Sequence, residues 1–147
     1  MSRIRFRFDD RTLMINKEVC AIITGFDKYA VSMHGNVYNI KTGRQLKPSK
    51  EYGRKNQYIS PGKYKSKGNG EKINYYRVMV TLYDDHGKSH PKRVHKLVAK
   101  EWLKDTDLNP DGTPIVGKKC INHIDHNTEN NSVFNLEICD YKYNRTH

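Results

Sequence analysis

Cysteine and long apolar runs are both scarce in this sequence. Only three cysteines occur in 147 residues, Cys20, Cys120 and Cys139, and no two of them form a CxxC pair. A small disulfide framework uses more, and a thiolate zinc site needs closer pairs, so both are set aside. No run is long and apolar enough to cross a membrane, and the N-terminus alternates Arg with Ile and Phe where a targeting segment would run apolar. Repeats, heptads and low-complexity tracts are missing as well. Acids are outnumbered, with 16 Asp and Glu against 27 Lys and Arg, a net charge of +11. The expectation is a soluble, cytoplasmic protein of a reducing compartment, built as one domain or as two small lobes sharing a core. An excess of positive charge favours a polyanionic partner and says nothing about fold.

The charge is unevenly spread. Residues 41–80 hold 11 basic and 2 acidic side chains, net +9, whereas residues 121–147 hold 2 and 4, net −2. A basic middle suits phosphates. A neutral-to-acidic tail suits a divalent cation, which Lys and Arg would repel.

Hydrophobic periodicity orders the chain. Residues 3–8 (RIRFRF) alternate strictly, so a strand would set three arginines on one face and Ile4, Phe6 and Phe8 on the other, either solvated or facing phosphate. Short strands follow over 19–23, 29–33 and 37–40, separated by turns at 24–27, at His34-Gly35-Asn36 and at Thr42-Gly43. Residues 50–72 mix Lys, Arg, Gly and Tyr and read as a basic loop. The strongest strand signal is 73–83, with Asp84-Asp85-His86-Gly87 turning it into a second strand that ends near Val94. Val94, Leu97, Val98 and Trp102 then recur at helical spacing, with Trp102 as a core anchor. Residues 105–118 are a turn-rich connector.

The tail, residues 120–147, reads CINHIDHNTENNSVFNLEICDYKYNRTH. Strands are expected at 120–124 and 133–139, with a polar loop between them and Cys120 facing Cys139. Asp140 is a reasonable N-cap for a short helix over 141–147. A ββα unit this small needs a metal ion and the preceding helix for stability. Asn127, Asn130 and Asn131 are assigned to the loop. His34, His86 and His90 fall in turns, and His95 opens the helix where it can pack on the tail strands.

NHIDHNTENNSVFNLE followed by YNRTH resembles the HNH nuclease motif in the form found in phage and intron-encoded homing endonucleases. RVHKLVAKEWL and the Asn-Pro loop resemble the segment that precedes it. TGFDKYAVSMHGNVYNIKTGRQLKPS resembles the small DNA-binding motif often attached to such nucleases. The resemblance covers residues 92–147 well and 24–48 loosely. It implies an α+β fold, with a β-rich DNA-binding lobe over 1–92 and a helix plus ββα-metal nuclease domain over 93–147.

Carried onto this chain, the resemblance implies His123 as the general base that deprotonates water. An imidazole with an unperturbed pKa of about 6.5 suits that task near neutral pH. Asn135 is implied as the catalytic-site brace of the loop, and Asn122 and Asn144 as metal ligands. Many members carry Asp where this chain has Asn122, so both implied ligands are neutral amides. Asp125, His126 and His147 are accessory candidates, and Arg44, Arg54, Lys55 and Arg77 are candidate phosphate contacts. A hard cation with few protein ligands keeps open positions for a phosphate oxygen and the leaving 3′ oxygen. The expected cofactor is Mg²⁺, with Mn²⁺ substituting and no organic cofactor. The expected partner is double-stranded DNA, met by a monomer that nicks one strand or a homodimer that cuts both. The alternatives are a non-catalytic DNA-binding protein that keeps a degenerate HNH fold, and a structural or RNA-binding protein relying on the basic loop.

Overall fold

The computed structural model describes residues 3–52 and 76–146. Three antiparallel sheets surround one helix. The first is a four-stranded meander of β1 (Thr12–Ile15), β2 (Glu18–Ile23), β3 (Phe26–Ser32) and β4 (Val37–Asn39), in that order. The second is formed by β5 (Ser49–Tyr52), β6 (Tyr76–Tyr83) and β7 (Ser89–Arg93), which runs directly into α1 (Val94–Trp102). The third is a hairpin of β8 (Lys119–His123) and β9 (Leu136–Asp140), with a 3-10 turn at Val133–Asn135 before β9 and α2 (Tyr141–Thr146) after it. The fold is thus α+β and ends in a ββα unit. Among the described residues no helix is long and apolar enough to cross a membrane.

Most of the strand and helix assignments follow from periodicity and turn chemistry. β1 was not anticipated. Its turn into β2 is Asn16-Lys17, both at positive φ (51° and 65°), which matches the twist of a two-residue hairpin but lacks the usual glycine. The expected second tail strand begins three residues late, because Val133, Phe134 and Asn135 coil into the 3-10 turn capped by Ser132, whose side chain accepts from Phe134 N–H. The basic loop expected at 50–72 begins with β5, and from residue 53 onward it lies outside the described residues.

The alternating segment 3–8 is a correction. Only Ile4 is buried; it forms an isolated bridge with Leu103, while Phe6 and Phe8 are 61% and 84% exposed. Alternation gives a segment two faces, but a strand also needs a neighbour along its length. Arg3 and Arg7 bond back onto the protein instead, while Arg5 is exposed. Arg3 donates to the carbonyls of Leu136 (3.2 Å) and Phe134 (2.8 Å), and Arg7 pairs with Glu101 at 3.2 Å. They clamp the chain's start to α1 and the tail hairpin.

One apolar cluster joins all three sheets. It takes Ala21, Ile23, Tyr29, Val31 and Val37 from the meander, Val80 and Leu82 from β6, and Val133 and Leu136 from the tail. The α1 stripe of Val94, Leu97, Val98 and Trp102 lies among them, each side chain worth about 1.5–3 kcal/mol when fully buried. Trp102 is 1% exposed, and its indole N–H donates to Val31 O at 3.0 Å, so the largest core side chain also satisfies its polar atom. Glu101, on the same helix, is buried with its polar atoms bonded. It is compensated by Arg7 and by the backbone and hydroxyl of Thr24 (3.2 and 3.0 Å).

α1 also delivers His95 against the tail hairpin, where its ring meets that of His123 edge-on with centroids 5.3 Å apart. Burial, helped by charge at His123 and Arg77, pushes the His95 pKa down to about 3. The folded state therefore holds His95 neutral where the unfolded chain would protonate it. That stability is complete above about pH 6.5 and falls at about 1.4 kcal/mol per pH unit as pH drops toward the folded value. Urea unfolding of His95→Phe at about pH 7 and about pH 5 should show a shallower acid loss than the wild type. An equal loss would contradict this account of His95.

Candidate active site

The β8–β9 register places Cys120 opposite Cys139, Ile121 opposite Ile138, Asn122 opposite Glu137, and His123 opposite Leu136. Side chains alternate between the two faces of a strand. One face carries Ile121, His123, Leu136 and Ile138 toward the common core and α1. The other carries Cys120, Asn122, Glu137 and Cys139. α2 packs against both strands, with Tyr143 of α2 near Glu137 and Cys139, so this second face is the one under the helix. The two cysteines face each other as expected, their sulfurs 3.7 Å apart and not joined as a disulfide.

His123 is 9% exposed at the end of β8. Its Nε2 lies 2.7 Å from Asn131 Oδ1. A carbonyl oxygen only accepts, so Nε2 carries the proton and Nδ1 is the ring's basic lone pair. Burial lowers the His123 pKa, partly offset by the Asn131 bond and the Asp125 carboxylate, while Arg77 pushes it further down. The ring is therefore neutral and ready to accept a proton at neutral pH.

The loop from β8 to β9 is a network of amides. Asn135 Nδ2 donates to Asp125 Oδ1 (2.8 Å) and Asn130 O (2.9 Å), its Oδ1 accepts from Asp125 N (3.1 Å), and its carbonyl accepts from Ile124 N (2.8 Å). Both Asp125 oxygens are taken up by this loop, the second accepting from Asn130 Nδ2 at 3.0 Å. His126 is exposed at positive φ (61°) in the same turn, and His147 lies outside the described residues.

The meander reaches this loop from outside. Val133 N–H donates to Met33 O at 2.7 Å, and the Gly35 turn, at φ +86°, packs on Asn131. A β-carbon at Gly35 would sit 3.1 Å from Asn131 Cβ and carbonyl oxygen. That glycine is needed twice, for its backbone angle and for the close approach.

Asn122 is 7% exposed, and its Nδ2 donates to Glu137 Oε1 at 2.9 Å. Asn144 sits half-buried on α2, whose start is fixed by Asp140: its Oδ1 accepts from Tyr143 N at 2.8 Å, as an N-cap does. The other Asp140 oxygen holds Asn109 Nδ2 and Val116 N, both at 3.1 Å, so the connector locks the helix in place. Among the described residues no group of three His, Cys, Asp or Glu side chains is gathered to hold a metal. The side-chain oxygens of the two expected ligands, Asn122 and Asn144, are amide oxygens, of a kind suited to a hard divalent cation and not to zinc.

Arg77 on β6 is close enough to depress both His95 and His123, and it pairs with Glu51 at 3.8 Å. Arg44 lies exposed on the Thr42-Gly43 turn; Arg54 and Lys55 fall outside the described residues. Sequence reasoning missed Asn131 and Glu137. Nothing in the spacing distinguishes Asn131 from its neighbours. Glu137 was within reach, because strands that pair Cys120 with Cys139 must pair Asn122 with Glu137 two residues further along.

No family model matches the chain. It is 30% identical over 115 residues, 78% of its own length, to the uncharacterized HNH endonuclease L247 of Acanthamoeba polyphaga mimivirus, and covers 21% of that protein. It is 41% identical over 54 residues, 37% of its length, to the uncharacterized HNH endonuclease L245 of the same virus, covering 14% of it. The chain thus spans about a fifth or less of the curated relatives it matches. Among solved structures it is similar to the HNH homing endonuclease I-HmuI, in work on DNA binding and cleavage by that enzyme. The TM-score is 0.56 at 24% identity, over 86% of this chain and 55% of the other. Relatives named HNH endonucleases and the fold of an HNH homing endonuclease thus agree with the motif at residues 120–147.

Proposed function

We propose that this chain is a metal-dependent endonuclease that hydrolyses phosphodiester bonds in double-stranded DNA, with one active site nicking one strand. The observation that carries the reading is the buried, neutral His123, its Nε2–H held by Asn131 and its Nδ1 left as the basic nitrogen. In this role Nδ1 takes a proton from water as that water attacks phosphorus. The imidazolium that forms is stabilised by the Asn131 carbonyl and the nearby Asp125 charge. Asn122 and Asn144 would hold a divalent cation through their side-chain oxygens, Mg²⁺ with Mn²⁺ as substitute. When bound, that ion supplies charge stabilisation for the departing 3′ oxygen. Asn135 keeps the loop, and with it His123, in register.

The basic residues serve the substrate. Arg77, whose charge reaches His123, is the cation best situated for the scissile phosphate, and Arg44, Arg54 and Lys55 are proposed as further backbone contacts. The division of labour is a DNA-binding part over 1–92 and a nuclease part over 93–147. The cluster common to all three sheets makes these functional regions rather than separately packed bodies. Two copies would be needed to cut both strands, and a homing role is in keeping with the kind of enzyme the fold resembles.

Nicking of supercoiled plasmid in Mg²⁺, with and without EDTA, tests the proposal. His123→Ala should lose about 10²–10⁴-fold in rate while retaining DNA binding. Full activity in that variant, or activity indifferent to EDTA, would overturn it; a wild type that binds DNA and never nicks would favour the non-catalytic reading. Because the His123 pKa is lowered, the base stays neutral below the usual imidazole range. The wild-type rate should therefore hold as pH falls through about 6.5 and decline only in more acid solution. Asn131→Ala should lower the rate at every pH, by less than His123→Ala, by releasing the ring's tautomer; an unchanged rate would remove Asn131 from the mechanism.

A further inference from the structure

Asn122 poses a problem that a carboxylate would not. A carboxylate presents an oxygen whichever way it rotates, whereas an amide presents an oxygen from one edge and a nitrogen from the other. Only the oxygen edge can meet a cation. A buried ligand amide therefore needs something that fixes which edge faces the site.

The residue directly across the hairpin does this. Glu137 is the cross-strand partner of Asn122, and Asn122 Nδ2 donates to its Oε1 at 2.9 Å. An ionised carboxylate accepts hydrogen bonds and donates none, so it selects the NH₂ edge and turns Oδ1 the other way. It also sets a negative charge directly beside a ligand that has none. We propose that Glu137 is a positioning residue for the candidate metal site, fixing the Asn122 amide oxygen-outward and supplying the charge that Asn122 lacks. The inference rests on Asn122 being a ligand.

The pairing works in one direction only. Like charges directly opposite each other on an antiparallel ladder repel, so an aspartate at position 122 would be disfavoured while Glu137 remains. Glutamine at position 137 keeps the shape but can donate as well as accept, so the two amides can reverse together. The two positions should therefore be coupled, with Glu137→Gln costing more cation affinity when position 122 is Asn than when it is Asp.

Mn²⁺ binding to the full chain, followed by electron paramagnetic resonance of the free ion, reads this out without cleavage. Glu137→Gln should weaken binding about tenfold, the scale on which groups that orient metal ligands act. In the Asn122→Asp background the same change should cost clearly less, since a carboxylate presents an oxygen whichever way it rotates and needs no orienting. Equal weakening in both backgrounds would mean that Glu137 acts only through its charge or as a ligand, and would overturn its positioning role. No effect of Glu137→Gln, alongside a loss in Asn122→Ala, would overturn it while sparing Asn122. Unchanged binding in Asn122→Ala would take down the ligand reading, and this inference with it. If Glu137→Gln does not fold, the wild type still decides. Its Asn122 side-chain amide, identified by its disappearance in Asn122→Asp, should show one hydrogen-bonded proton slow to exchange with solvent. Two fast-exchanging protons would overturn the proposal.

Discussion

Everything at this site depends on one hydrogen bond made out of water's reach, from His123 Nε2–H to the side-chain oxygen of Asn131. A buried imidazole is costly to charge, so desolvation keeps the ring neutral, and a single buried acceptor decides which nitrogen holds the proton. Two ordinary effects thus fix both the protonation state and the tautomer. Neither needs a charged partner touching the ring, which would have drawn the pKa upward.

The cost of this arrangement is carried by the scaffold. Asn131 belongs to a loop that a nine-residue helix and a five-residue strand could not hold alone. It is held by the meander, through the Met33 carbonyl and the glycine at position 35, and by Asn135 from within. The 3-10 turn buries Val133 in the common core, so packing in the body of the protein is transmitted directly to the loop. On the opposite face, Asp140 fastens both the connector and the start of α2, which sets the height at which Asn144 is presented. Arg3 and Arg7 tie the N-terminal segment to the rest of the fold, answering backbone carbonyls and a buried glutamate.

The elements were legible where a local signal was enough. Turn residues gave β3 and β4, helical spacing gave α1 with Trp102 inward, and an Asp at the right offset gave the cap of α2. What was missed needed a partner elsewhere in the fold. The alternation of residues 3–8 could not say that no strand runs beside it, and Asn16-Lys17 carried no glycine to mark its turn. At the site, His123, Asn122, Asn135 and Asn144 were implied by the resemblance of the tail to a known motif. Asn131 became distinct from the other loop asparagines only when the fold brought it to the histidine ring, and Glu137 only when the hairpin register was fixed.

The central claim is that the proposed base is a neutral imidazole protonated on Nε2. Long-range ¹H–¹⁵N correlation of the His123 ring measures this directly in the full-length chain. The account predicts the Nε2–H tautomer at neutral pH, with Nδ1 unprotonated and remaining so below the usual imidazole range. An Nδ1–H tautomer, or an imidazolium at neutral pH, would contradict it.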